Sequence, residues 1–131
     1  MAHEGQELVG PNGFTLKLLR ITADVLEMEG SYSGEGGFPP EHFHPHQDDH
    51  FEVLEGTVIA VIDGDERRYS AGEAFDIPAG TPHQMTGDWR ARLHWEVRPA
   101  LRTAEFFERA YSGDPGDDFL ETFSDEFQLT T

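Results

Sequence analysis

Four of the seven histidines fall within nine residues: His42, His44, His46 and His50, in the run Glu41-His42-Phe43-His44-Pro45-His46-Gln47-Asp48-Asp49-His50. On a β-strand, residues i and i+2 share a face about 6.5–7 Å apart along the chain. Imidazoles at His42 and His44 can therefore turn toward one cation, and imidazole suits Zn, Fe, Ni or Cu. The same pair also describes a loop of solvated histidines, and its spacing alone does not separate the two. Cysteine is absent, which removes disulfides, thiolate catalysis and Cys-ligated zinc.

The elements that must carry these residues are punctuated like an all-β protein. Fourteen glycines and eight prolines recur between short apolar stretches, and nothing before residue 100 holds a long 3.6-residue period. After the turn at Gly10-Pro11-Asn12-Gly13, strands are expected over 14–21 and 25–28, followed by a loop over 30–37. Phe51 to Ile62 reads as one long strand bent at Gly56. Asp63-Gly64-Asp65 then turns into a strand at 67–69, and 73–77 stops at Pro78. Between Arg90 and Arg98, Ala91, Leu93, Trp95 and Val97 fall on one face and polar residues on the other, the pattern of a half-buried antiparallel strand. Many short strands in 131 residues mean a sandwich or barrel. Beyond Pro99 the period changes. Thr103 is placed to cap a helix with Ala104, Phe107 and Tyr111 on one face, and Phe119, Leu120, Phe123 and Phe127 repeat at helical spacing. These aromatics read as packing surface rather than as a ligand box.

The surroundings of the histidines form two motifs. Gly36, five residues, His42-x-His44, four residues, Asp49, six residues, Gly56 resembles the first motif of the cupin superfamily. Fifteen residues later, Gly72, five residues, Pro78-x-Gly80, two residues, His83 resembles the second. The resemblance implies an all-β jelly-roll barrel, or double-stranded β-helix, over residues 1–101, with motifs at 36–56 and 72–87. A helical, acidic extension over 102–131 is expected to pack on it. The resemblance also implies that His42, His44 and His83 are metal ligands and that Asp49, standing where cupins usually carry Glu, is the weakest or most distant member of the set. The expected cofactor is a divalent ion (Fe, Mn, Ni or Zn). Gly87 departs from the second motif, which commonly has Asn there. Strand parity sends Asp49, Phe51, Val53, His83 and Met85 inward. Phe51, Phe75, Ile77, Met85 and Trp95 are then expected to wall a small-molecule pocket. Parity turns His50 outward; His46 follows Pro45 in a turn, and His94 lies on a polar face.

Charge limits the partners. Twenty-six acidic against nine basic residues leave a formal net charge of −17, the wrong sign for a nucleic-acid backbone or an anionic membrane. Residues 2–7 carry neither a basic nor an apolar leader pattern, so a cytoplasmic protein is expected. A homodimer is expected too, from the way cupin barrels pair. Two functions fit: a metal-dependent enzyme on a small organic molecule (dioxygenase, isomerase or cyclase), or a non-catalytic module that binds or senses such a ligand. Fold does not choose between them.

Overall fold

Alternation along the strands decides which side chains enter the barrel. A computed structural model describes residues 2–35 and 37–130, so Gly36, the opening residue of the first motif, lies outside the described residues. In chain order it forms β1 (Glu7–Val9), β2 (Thr15–Ile21), β3 (Leu26–Ser31), β4 (His42–Phe43), β5 (Asp48–Glu55), β6 (Thr57–Ile62), β7 (Asp65–Ser70), β8 (Ala74–Ile77), β9 (His83–Gly87) and β10 (Arg92–Arg98). Helices α1 (Thr103–Ala110) and α2 (Phe119–Thr122) and the short strand β11 (Gln128–Leu129) complete it. One antiparallel sheet runs β1-β2-β3-β10-β5-β8, and the other runs β11-β4-β9-β6-β7. Together they make the jelly-roll barrel that the strand pattern calls for. In β5, Asp49, Phe51 and Val53 are buried while Asp48, Glu52 and Glu55 are exposed.

The expected long strand from Phe51 to Ile62 is two strands in different sheets. Gly56 joins them at φ +72, a conformation that suits glycine; a Cβ there would lie 2.7 Å from the Ala91 nitrogen. β3 runs further than expected, through Gly30 and Ser31, because it pairs with β2 on one side and β10 on the other. β1, β4 and β11 span only two or three residues, too short to show a period.

Two apolar clusters share Trp95 at their boundary. One gathers Leu16, Leu18, Leu26, Met28 and Val97 with Ala104, Phe106, Phe107 and Phe123 from beyond residue 102. The other gathers Phe51, Val53, Val58, Ala60, Phe75, Ile77 and Leu93. Thr103 does not cap α1: Arg102 holds that position, without a side-chain cap. The Thr103 hydroxyl accepts instead from Gln47 Nε2 at 2.7 Å. Buried Gln47 also donates to the Pro99 and Ala100 carbonyls, pinning the barrel to the start of the helix. The spacing of Phe119 and Phe123 yields one short helix, after which residues 123–126 turn so that Phe127 precedes β11.

Candidate metal centre

β4 lies beside β9 with His42 directly opposite His83, and His44 follows two residues on. One ring nitrogen from each of His42, His44 and His83 falls within 4.8 Å of the others. Ring centroids lie 4.5 Å apart for His42 and His83, 5.1 Å for His44 and His83 and 5.2 Å for His42 and His44. The ring orientations have a backbone cause. His42 Nδ1 stands 3.0 Å from the Pro40 carbonyl oxygen, His44 Nδ1 2.7 Å from that of Glu126, and His83 Nδ1 2.8 Å from that of Thr81. A carbonyl only accepts, so each Nδ1 carries the hydrogen and donates it. Each Nε2 is left with a bare lone pair, as in metal-bound histidines held by outer partners.

Burial keeps the three rings neutral. It pulls His42 down to about 4 against a smaller upward effect of its Pro40 hydrogen bond, and His83 down to about 3 with the help of neighbouring His42. His44 shifts the same way. Metal binding needs the neutral form.

Asp49 is 1% exposed. Its Oδ1 accepts from Trp95 Nε1 at 3.1 Å, while Oδ2 stands 3.3 Å from His44 Nε2 and 3.9 Å from His83 Nε2. Burial pushes its carboxyl up to about 7, opposed by the Trp95 hydrogen bond. With His44 neutral, the pair is not a salt bridge. His44 Nε2 and Asp49 Oδ2 are both buried without a hydrogen-bond partner, a costly arrangement unless something meets them. Three converging lone pairs and an adjoining carboxyl fit a divalent cation.

The other histidines are placed differently. His50 points outward, with Nδ1 2.7 Å from Asp76 Oδ1. His46 is exposed, near Asp125, and does not line the cavity. His94 is half-buried on the outer face beside Glu27 and Glu96.

A cavity of about 600 Å³ opens beside the three rings. Phe51, Met85 and Trp95 line it. Phe75 and Ile77 do not: Phe75 stacks behind Phe51 at 5.1 Å and against Tyr69 at 4.0 Å, and Ile77 is 1% exposed in the cluster behind the wall. The aromatics beyond residue 102 correct a second expectation. Phe106, Phe107, Tyr111, Phe119 and Phe127 are packing surface and cavity wall at once. Phe127 stacks on His42 at 4.6 Å, and β11 pairs with β4. Glu126 and Phe127 are thus residues of the site that sequence reading missed. Helical spacing flagged Phe127 as apolar, but nothing in sequence marks a backbone carbonyl.

Residues 32–96 match the family model described as the cupin domain. A stretch of 64 residues, 49% of this chain, is 34% identical to quercetin 2,3-dioxygenase of Bacillus subtilis (strain 168). Another of 61 residues is 30% identical to the tetracenomycin polyketide synthase protein TcmJ of Streptomyces glaucescens. These stretches span only 19% and 41% of the two relatives. An RmlC-like cupin from Shewanella frigidimarina superposes with a TM-score of 0.68, covering 76% of this chain and 87% of that one at 18% identity. That likeness concerns the fold.

Proposed function

Since the chain belongs to the cupin superfamily, we propose that it is a metal-dependent enzyme acting on a small organic molecule. In this reading His42, His44 and His83 hold a divalent cation (Fe, Mn, Ni or Zn), and the substrate lies in the adjoining cavity. One observation carries the reading: three Nε2 lone pairs converge while every Nδ1 is occupied by a backbone carbonyl. When bound, such an ion supplies Lewis acidity and, if redox-active, electron-transfer chemistry. The chain's own residues do the rest. The carbonyls of Pro40, Thr81 and Glu126 fix the rings, the apolar walls exclude water, and Asp49 holds a carboxyl oxygen beside His44. The reaction falls among dioxygenase, isomerase and cyclase chemistry. The partial likeness to a quercetin dioxygenase supports the first of these over the matched segment.

Elemental analysis of protein purified without a His tag tests the metal. A stoichiometric divalent ion is expected in wild type, with many-fold loss in His44→Ala and little change in His50→Ala or His94→Ala. Equal loss in all three variants, or no ion in wild type, overturns the reading. Oxygen uptake with small phenols, diketones and thiols then tests the dioxygenase branch.

A further inference from the structure

The chain is rich in charge, with 27% Asp, Glu, Lys and Arg, yet none of these residues lines the cavity among the described residues. Its phenols stay neutral as well, since burial pushes the Tyr32 and Tyr111 hydroxyls up. Away from the three histidines, a carboxylated sugar or a phosphate ester would bury its charge with no lysine or arginine to meet it, and that costs several kcal/mol.

The wall is built of rings instead. From the barrel interior, Phe51 meets Trp95 at 5.2 Å, Trp95 meets Phe107 at 5.4 Å, and Phe107 meets Phe106 at 5.2 Å. Phe106 meets Phe127 at 4.8 Å, and Phe127 meets His42 at 4.6 Å. This is an unbroken aromatic surface ending on the histidine centre. Its first two members belong to strands and its next three to the segment after residue 102. At about 30 Å³ per water-sized volume, the 600 Å³ cavity holds roughly 20 non-hydrogen atoms. One benzene ring would leave much of it unfilled.

We infer that the cavity takes a flat, uncharged molecule of about three fused aromatic rings with oxygen donors on the edge facing His42, His44 and His83, and that the segment after residue 102 sets this preference. The placement of the oxygen edge rests on the proposed metal; the ring preference rests on the wall alone.

Alizarin, a three-ring quinone with adjacent hydroxyls, is the probe, titrated at pH 5 so that it enters as the uncharged molecule. Catechol carries the same hydroxyl pair on one ring, and glucuronate is a charged sugar between the two in size. Calorimetric titration of metal-loaded and EDTA-treated full-length protein separates the two readings. Alizarin should bind at least about tenfold more tightly than catechol in both states, and glucuronate should not compete. Phe127→Leu keeps the apolar bulk but removes the ring; it should weaken alizarin about tenfold in the EDTA-treated protein. Equal affinity for alizarin and catechol, competition by glucuronate, or an unaffected Phe127→Leu overturns the inference, even if the metal is present. A protein that holds no metal but still prefers alizarin overturns the metal reading and leaves this inference standing.

Discussion

Asp49 has one methylene fewer than the Glu that cupins usually carry, and its two oxygens are already divided between Trp95 and the histidines. Burial pushes its carboxyl up to about 7 in the metal-free protein, so near neutral pH about half of it is in the uncharged state that Asn mimics. Asp49→Asn keeps the acceptor for Trp95. It should lower metal affinity far less than His44→Ala, as read by competition with a metal chelator. Loss as complete as in His44→Ala would make Asp49 a full ligand. The histidines also give the metal-free protein a pH signature. Their folded pKa values lie below the ordinary 6.5, so the unfolded chain binds more protons than the native one as pH falls from about 6.5 toward 4. Stability is therefore complete above 6.5 and lost through that window. Asp49, shifted upward from 3.8, works in the opposite direction between about 4 and 7, one group against three. Urea midpoints of the EDTA-treated protein should fall from pH 7 to pH 5, and fall less in His83→Gln. An equal fall in both would remove the histidines as the cause.

At the scale of elements, the strand β11 and the turn before it tie the end of the chain to the three histidines. The Glu126 carbonyl orients His44, and Thr130 bonds to Glu41 beside β4. A chain ending at Ser124 keeps Phe123 in the core but loses this support. Metal affinity should drop about 10–100-fold while far-UV circular dichroism retains the barrel; unchanged affinity would show that the carbonyl does not matter. Gly87 explains its own departure from the second motif. A Cβ at Gly87 would lie 2.6 Å from the Tyr32 ring and 2.7 Å from the Ala91 Cβ, whereas one at Gly37 meets nothing within 4 Å. Gly87→Ala should cost about 1–3 kcal/mol in denaturant unfolding, against about 0.5 kcal/mol or less for Gly37→Ala. Short elements were the ones sequence reading missed: two-residue strands such as β4 and β11 have no period to see, while the eight residues of β5 show theirs.

Among the described residues, β1 leaves one edge of the larger sheet unpaired, and Val9 and Leu19 are exposed near it. Open edges recruit partners, and a twofold pairing covers an edge with its own copy. We propose a homodimer through this edge. Light scattering at micromolar concentration should give about twice the 14.7 kDa chain mass, and Leu19→Lys should shift it toward the monomer. A monomeric wild type would dismiss the idea. No helix among the described residues is long and apolar enough to cross a membrane.

Local pattern by itself determined that this chain makes strands, which residues of β5 and β10 face inward, and that His42, His44 and His83 sit in two recognisable motifs. These are short-range properties, written in side-chain type and spacing. Only the tertiary structure decided which nitrogen each histidine presents. The partner that orients His44 is a carbonyl 82 residues away, and every residue has a carbonyl, so no side-chain identity announces it. The same holds for the cavity wall. Phe75 and Phe127 are equally apolar in sequence, yet Phe75 lies behind Phe51 and Phe127 on His42, because the sheets and the returning chain, not hydrophobicity, determine which ring faces the empty space.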